Sequence, residues 1–453
     1  MIERYISQYL YLSLQTIASL PKAHLDTAAR VIDCAQQPEW RDTDFELLAF
    51  LCKRVEISRC LYDSYLPGGG RASSNVLGTV PSTLTLLLLL KDMTRLLQSQ
   101  RATEAAKRLN AVLKLRDSLG TALDTDLLDL VQDSLDGFFD SYSCPAPPAA
   151  TVLAPPAKVA TETTLAITVL FWEGPIARAY LAALKGIGLK PEKIIQLVSA
   201  RDLSSKKPVG RFLPGLLRIA YAQSRQRNSI HHWSGVLQRS ETALYRSVRS
   251  EIESSFDIPA EVIDDALALR DLSEYSANVE QLLVDDLNDE RLYQRLTSLP
   301  ESQVLFTGGG IVPRTLLELP HLKFIHVHPG FLPEVRGADC ALWSQLVKGC
   351  TSATCFYMAP GIDDGDVIHP AWLPPLRFRI DTSSIPLKSL YRAIYAFFDP
   401  WVRATVLRQA ISITSGFSAI KAQPQVEKNS ITYHFMHERI QDATFKVLFE
   451  NAC

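Results

Sequence analysis

The sequence predicts an all-α N-terminal domain followed by an α/β domain with a doubly wound, mostly parallel sheet. In the first part of the chain, apolar residues recur at helical spacing. After a Pro/Ala-rich segment, short β-branched runs alternate with helical segments, which is typical of a parallel sheet covered by helices. The chain has 453 residues, of which 47% are apolar and 21% are charged. This size and composition suit two or three folded domains.

The predicted helical domain covers residues 1–143. Segments 103–119 and 124–142 carry apolar residues three and four positions apart, and Asp124 is a candidate helix cap. Segment 66–75, "LPGGGRASSN", is a predicted loop. The most apolar stretch is "STLTLLLLL" at 82–90. A membrane span needs roughly 20 apolar residues, so we expect a buried helix here and no membrane association.

A stiff, extended linker is predicted at 144–164, where "CPAPPAATVLAPPAKVATETT" contains five prolines. An α/β catalytic domain follows at 165–412, with a C-terminal extension at 413–453. Within the α/β domain, strands are predicted at 165–172, 192–199, 324–328 and 352–358, and segment 303–310 is predicted as a strand that enters a glycine turn. Segment 200–300 is predicted to be mostly helical and polar. Residues 429–449 are expected to be a packing element.

Charge and cysteine usage exclude several classes of protein. The chain has 47 basic and 49 acidic residues, so it lacks the basic footprint of a nucleic-acid-binding protein and a polybasic membrane anchor. Its 8 cysteines contain no C-x-x-C pair, which argues against a zinc ribbon or a thioredoxin motif. Scattered single cysteines and an N-terminus without a long apolar run predict a cytoplasmic protein without a signal peptide.

Two histidines stand at the end of a predicted strand in segment 324–340, "FIHVHPGFLPEVRGADC". Side chains two positions apart share one face of a strand, so His326 and His328 point the same way. In open α/β sheets ligands bind at the carboxyl ends of the strands. Pro329 and Gly330 then end the strand and allow the backbone to approach a ligand. This pattern favours a functional site.

A second polar cluster follows in segment 358–370, "MAPGIDDGDVIHP", where Asp363, Asp364 and Asp366 surround Gly365. Three interpretations are open on the residues alone. His-x-His with a carboxylate is a ligand set for zinc or iron. A histidine oriented by an aspartate is an acid–base pair. The third interpretation is an Asp-Gly turn in solvent beside two strand-end histidines.

Segment 324–368 resembles the core of the folate-dependent formyltransferases. These enzymes share the motif Asn-x-His-Pro-Ser-x-Leu-Pro, then Arg-Gly-Ala, then Asp-x-Gly. Here 328–333 read His-Pro-Gly-Phe-Leu-Pro, 336–338 read Arg-Gly-Ala, and 363–365 read Asp-Asp-Gly. The sequence departs from the family at His326, which stands where the family has asparagine, and at Gly330, which replaces serine. Segments 304–330 and 165–188 resemble further parts of the same domain.

The resemblance implies a Rossmann-like catalytic domain and a biosynthetic enzyme of one-carbon metabolism. It implies 10-formyltetrahydrofolate as the formyl donor and needs no metal. His328 would act as general acid/base and oxyanion stabiliser, oriented by Asp363, with His326 as a second donor. Asp364 is the second choice for the family's aspartate. Donor-binding residues are expected at the glycine turn and the acidic loop: Gly308, Gly309, Gly310, Ile311, Val312 and Asp364.

The function expected from this resemblance is transfer of a formyl group to a small-molecule amine. One alternative is hydrolysis of the formyl donor by the same fold. Another is a non-catalytic binding or scaffold protein whose helical domain recruits a partner. The sequence does not name the amine, does not exclude tRNA as its carrier, and leaves a homodimer open.

Overall fold

The computed structural model describes residues 2, 5, 6, 79–123, 125–151, 162–308, 310–376, 378–426 and 430–449. By its internal contacts the chain divides into two compact units, Met1–Cys144 and Pro145–Cys453. The predicted loop at 66–75 and residues 152–161 of the predicted linker lie outside the described residues.

The described part of the first unit is helical, as the sequence predicts. Its helices are α1 (Thr79–Gln98), α2 (Ala102–Leu119) and α3 (Thr125–Ser141). The leucine run is buried within α1, where Leu86 to Leu90 are at most 1% exposed. Buried Asp92 on α1 accepts hydrogen bonds of 2.8 Å from Arg95 and from Arg108 on α2. No helix among the described residues is long and apolar enough to cross a membrane.

A seven-stranded sheet forms the centre of the second unit. Its strands are β1 (Thr163–Trp172), β2 (Leu189–Ser199), β3 (Val279–Val284), β4 (Ser302–Phe306), β5 (Leu322–His328), β7 (Ser352–Tyr357) and β8 (Val367–Trp372). The order across the sheet is β3-β2-β1-β4-β5-β7-β8. The first five strands are parallel to their neighbours, and the last two are antiparallel. The mostly parallel sheet is therefore confirmed.

The helices of this unit connect the strands and cover the sheet. They are α4 (Pro175–Gly186), α5 (Gly215–Ser240), α6 (Thr242–Phe256), α7 (Ala260–Leu267), α8 (Glu290–Thr297), α9 (Arg314–Leu317), α10 (Cys340–Lys348), α11 (Leu387–Ala393), α12 (Asp399–Ile413) and α13 (Glu438–Phe449). Pro175 opens α4, where its missing N–H costs nothing. A π-helical turn, Ile394–Phe398, joins α11 to α12.

Two strands of the seven-stranded sheet were not predicted from the sequence. β3 lies in the segment predicted to be mostly helical, and of its residues "VEQLLV" only the last is buried. β8 contains Pro370, which removes a backbone donor and argues against a central strand. Both strands lie at the edges of the sheet, where solvent contact and a missing donor are tolerated.

His231 and His232 lie in the second half of α5. The helix begins at Gly215, directly after Pro214. His231 Nε2 lies 3.0 Å from Oε1 of Glu173, which is 3% exposed. Glu173 also accepts two hydrogen bonds, of 2.8 and 2.6 Å, from the buried guanidinium of Arg178. A buried ion pair, and not solvent, therefore surrounds this histidine.

The C-terminal extension packs against the rest of the second unit, and residues 430–449 of the expected packing element are described. Its strand β9 (Thr432–Tyr433) pairs in parallel with β6 (Arg336–Gly337), which lies in the loop after β5. Gly337 has a φ of +107° and contacts the backbone of Tyr433 so closely that a Cβ would collide with it. Arg336 stabilises the pairing, since its Nε donates to Thr432 Oγ1 at 2.9 Å. The loop after β5 is thus held by a segment nearly one hundred residues later.

Candidate active site

His328 ends β5 and is 3% exposed. Its Nε2 lies 3.1 Å from the carbonyl oxygen of Val335, and its Nδ1 lies 3.2 Å from Oδ1 of Asp363. Both ring nitrogens therefore face oxygen acceptors, and both can donate only when the ring carries two protons. The arrangement holds the imidazole in one orientation and favours a proton on the side facing Asp363.

Asp363 comes from the loop between β7 and β8 and has a φ of +50°. Its Oδ2 accepts a hydrogen bond of 2.8 Å from the backbone N–H of Gly337. Burial opposes its ionisation, but His328 and the Gly337 N–H outweigh it and lower the pKa of Asp363 to about 2. Asp364 is exposed, and its Oδ1 accepts from the N–H of Gly365 within the same turn. The geometry therefore pairs Asp363, and not Asp364, with the histidine.

His326 lies two residues before His328 on the same strand. Its Nδ1 lies 3.0 Å from the carbonyl oxygen of Phe306 at the end of β4, and its Nε2 lies 3.5 Å from Nη1 of Arg403. Burial and the Arg403 guanidinium lower the pKa of His326 to about 4, so the ring is neutral at pH 7. Its single N–H is donated to Phe306, and Nε2 is an acceptor. In this arrangement His326 therefore has no N–H left to donate to an oxyanion, which is the role expected for it as a second donor.

Arg403 on α12 is a site residue that the sequence did not reveal. Its Nη1 donates to the carbonyl oxygen of Val327 at 2.9 Å, and its Nε donates to Oδ2 of Asp399 at 2.9 Å. Burial raises the pKa of Asp399, while the guanidinium opposite it favours the charged carboxylate. Arg403 thus brings a fixed positive charge to the end of β5.

Asp339, at the start of α10, is a second residue that the sequence did not single out. It is 7% exposed, and its Oδ1 accepts hydrogen bonds of 2.8 Å from the hydroxyls of both Tyr391 and Tyr395. Its Oδ2 accepts from the backbone N–H of Met436 at 2.8 Å. Two tyrosines at i and i+4 on a helix face the same way, and this spacing is the one signal that could have pointed to them.

These side chains share one cavity of about 640 Å³. It is lined by Pro175, Ile230, Trp233, Ser234, His326, His328, Pro329, Gly337, Ala338, Asp339, Cys340, Asp363, Tyr391, Arg392, Tyr395, Ala396, Arg403 and Phe435. The lining combines the ends of β5 and the loop after it with α5, α11, α12 and the C-terminal extension. All three predicted catalytic residues are therefore brought together.

The predicted donor-binding turn lies beside this cavity without lining it. Gly308 and Gly310 have φ values of +136° and +124°, Ile311 is 72% exposed, and Val312 is buried in the core. Gly309 lies outside the described residues. The turn follows Phe306, whose carbonyl oxygen accepts from His326. The structure thus separates the residues proposed for the donor from those around His328.

Gly330 has no room for a side chain. A Cβ at this position would collide with the carbonyl oxygen of Val335 and would lie 2.8 Å from Nε2 of His328. The serine of the resembling family therefore does not fit the backbone of this chain. The absence of a side chain at Gly330 allows the Val335 carbonyl oxygen to lie 3.1 Å from Nε2 of His328.

Metal ligation finds little support in the geometry. Within the described ranges, no three His, Cys, Asp or Glu side chains converge as a metal ion requires. Three of the four ring nitrogens of His326 and His328 face protein oxygens, and the fourth faces Arg403. Cys340, Cys350 and Cys355 are buried.

Comparison with known proteins gives short but clear similarities. A methionyl-tRNA formyltransferase of Syntrophus aciditrophicus is 41% identical over 71 residues, which are 15% of this chain and 22% of the relative. One of Clostridioides difficile is 37% identical over 83 residues, 18% of this chain and 26% of the relative. The matches span about a quarter of these relatives. No family model matches the chain.

Solved structures with a similar arrangement share little sequence. A sugar N-formyltransferase of a Shewanella species aligns at a TM-score of 0.30 with 14% identity, over 59% of this chain and 77% of that chain. HypX of Aquifex aeolicus in complex with tetrahydrofolic acid aligns at a TM-score of 0.26 with 17% identity, over 43% of this chain and 28% of that chain.

Proposed function

We propose, starting from the relationship of this chain to the folate-dependent formyltransferases, that it transfers a formyl group from 10-formyltetrahydrofolate to an amine. The observation that carries the proposal is the His328–Asp363 pair, which lies in a cavity at the carboxyl end of β5 with a separation of 3.2 Å. The motif residues around this pair are the ones on which the resemblance rests. The relatives act on methionyl-tRNA and on sugars by their names, and the acceptor of this chain is proposed only as an amine.

The residues beside the cavity fit a folate formyl donor. Gly308 and Gly310 adopt φ values that L side chains rarely adopt. Open space lies where a side chain of Gly308 would stand, and a Cβ at Gly310 would only touch Leu287 at 3.9 Å. The backbone at the end of β4 is therefore accessible to a flat ring. When bound, 10-formyltetrahydrofolate supplies the activated formyl carbon.

His328 is the proposed carrier of the proton lost by the amine. Asp363 holds the ring through Nδ1 and stabilises its charged form, and the carbonyl oxygen of Val335 fixes Nε2. Because the carboxyl of Asp363 has a pKa of about 2, it stays ionised while the imidazole gains and loses its proton. The aspartate therefore keeps its charge throughout the proton transfer.

Arg403 is the proposed source of positive charge for a developing oxyanion. Its Nη1 lies 3.5 Å from Nε2 of His326, in the region where the family places an asparagine amide. His326 has a supporting role in this proposal, because it accepts from Arg403 and donates to Phe306. A preorganised donor of this kind is worth about 10²–10³ in rate.

The test is a formyl-transfer assay on the full chain. Purified protein is mixed with 10-formyltetrahydrofolate and a pool of amines, and release of tetrahydrofolate and formylation of the pool are followed by absorbance and mass spectrometry. We expect amine-dependent turnover that falls about 10²–10⁴-fold in His328→Ala. The control is His321→Ala, which removes a half-buried histidine outside the cavity. Release of formate without any amine, or turnover unaffected by His328→Ala, would refute the proposal.

A further inference from the structure

The charged side chains of the cavity differ in whether the protein neutralises them. Asp363 faces His328 at 3.2 Å, and Arg403 pairs with Asp399 at 2.9 Å. Asp339 is contacted by neutral donors alone, namely two tyrosine hydroxyls and one backbone N–H. In the described part of the chain, Arg392 forms no ion pair within 4 Å. The lining therefore leaves one negative and one positive charge for a ligand.

The negative charge is built into the wall of the cavity. The carboxyl of Asp339 accepts three hydrogen bonds and is 7% exposed, so its position is fixed. The two phenols that donate to it keep oxygen lone pairs available to an incoming N–H group. Burial and Asp339 raise the pKa of Tyr391, so this hydroxyl stays protonated and remains a donor to Asp339. A cationic nitrogen is the complementary ligand for this wall.

The positive charge lies on the same helix as one of these tyrosines. Arg392 follows Tyr391 on α11, and its guanidinium carbon lies 3.3 Å from the ring centroid of Trp233 on α5. Stacking on an indole holds a guanidinium in place while leaving its edge N–H groups free to bind a carboxylate. Trp233 is 42% exposed and Phe435 is 68% exposed, which places aromatic surface on the solvent side of the lining.

We propose that the acceptor is an amino acid whose side chain ends in an amine. Its α-ammonium binds the Asp339–Tyr391–Tyr395 cluster, its α-carboxylate binds Arg392, and its side-chain amine reaches His328. This inference rests on the proposed function for the reaction itself. In the transfer the side-chain nitrogen forms a bond to the formyl carbon, the bond from that carbon to N10 of the donor breaks, and the proton lost by the amine ends on N10.

Binding of the acceptor is tested without the formyl donor, so that failure of the proposed reaction stays distinguishable. Isothermal titration of the full chain uses L-2,3-diaminopropionate, L-ornithine and L-lysine. Cadaverine lacks the carboxylate of lysine, and 6-aminohexanoate lacks its α-ammonium. We expect at least one of the three amino acids to bind about tenfold or more tightly than both analogues, because each analogue leaves one charge of the cavity unpaired.

Two variants test whether Arg392 and Tyr391 cause the preference for the amino acid over the two analogues. In Arg392→Gln, the dissociation constants of the amino acid and of cadaverine should differ by no more than about threefold. In Tyr391→Phe, the same should hold for the dissociation constants of the amino acid and of 6-aminohexanoate. Arg246→Gln, which changes an exposed arginine on α6 outside the cavity, should keep the wild-type preference. Equal binding of all probes, no binding of any amino acid, or an unchanged preference in Arg392→Gln overturns the proposal. Selective binding without turnover would refute only the formyl transfer.

Discussion

Replacing His326 with asparagine, the residue of the resembling family, should make the folded protein less sensitive to acid. The pKa of His326 is about 4 in the folded protein, whereas histidine in an unfolded chain titrates near 6.5. Because the folded pKa is the lower one, protons bind the unfolded chain first. The stability that neutral His326 contributes is therefore complete above pH 6.5 and is lost as the pH falls toward 4.

The size of this effect follows from the two pKa values. At about 1.4 kcal/mol per unit, the difference corresponds to roughly 3 kcal/mol, and contact of the ring with the open cavity reduces it to about 2 kcal/mol. Asp363 does not interfere, since its contribution is lost only below about pH 4. His369, whose pKa burial also lowers, is present in both proteins, so its effect cancels in the comparison.

The assay is urea unfolding at pH 7, 6, 5 and 4.5, followed by tryptophan fluorescence. Five of the 6 tryptophans lie in the second unit, so the signal reports mainly on the unit that contains the site. We expect the free energy of unfolding of wild type, relative to His326→Asn, to fall by about 2 kcal/mol between pH 7 and pH 4.5. His321→Asn is the matched control and should follow wild type. Parallel pH profiles for wild type and His326→Asn would refute the assignment of a neutral, buried ring.

Three further substitutions test contacts of the second unit. Gly330→Ser should lower the melting temperature by about 2–5 °C, since overpacking costs about 1–3 kcal/mol, and should reduce formyl transfer because the added atoms displace the carbonyl that holds His328. An unchanged melting temperature would contradict the tight fit. Gly337→Ala should separate β6 from β9, because the added Cβ collides with the backbone of Tyr433. Asp363 then loses a backbone donor, which raises its pKa and the pH at which activity is lost in acid. An unaltered pH–rate profile would argue against that contact. Glu173→Gln should lower the free energy of unfolding by about 3–5 kcal/mol, because it leaves the arginine partner of Glu173 unpaired. Calorimetry measures this loss, and a value below about 1 kcal/mol would exclude a buried ion pair.

The local part of the site could be predicted from the sequence because it follows from strand geometry and a short motif. His326 and His328 share a strand end, and Asp363 follows the next strand, so each lies close to its expected place. Arg403 could not be predicted in this way. It stands on a helix 77 residues after His326 without a motif around it, and only the tertiary packing of α12 brings it to the cavity.

The sequence also did not reveal the protonation of His326 or the partners of Asp339. The substitution of histidine for asparagine at 326 suggested a second donor, but the proton of the ring is directed to Phe306 by the neighbouring strand. Asp339 appeared as one more residue after an Arg-Gly-Ala motif, because its tyrosine partners lie more than 50 positions away. Such partners are fixed by how helices pack on the sheet, which no local pattern records.

The pairing of β6 with β9 also determines when the cavity can assemble during synthesis of the chain. The ribosome completes the sheet, the loop of Asp363 and helix α12 before it reaches Thr432 and Tyr433. A nascent chain that has emerged to residue 426 therefore contains the histidine and the aspartate but lacks the strand that holds Gly337 against them. Assembly of the cavity is thus deferred until β9 has emerged, so the wall formed by the loop after β5 can be fixed only after the strands of the sheet have been synthesised.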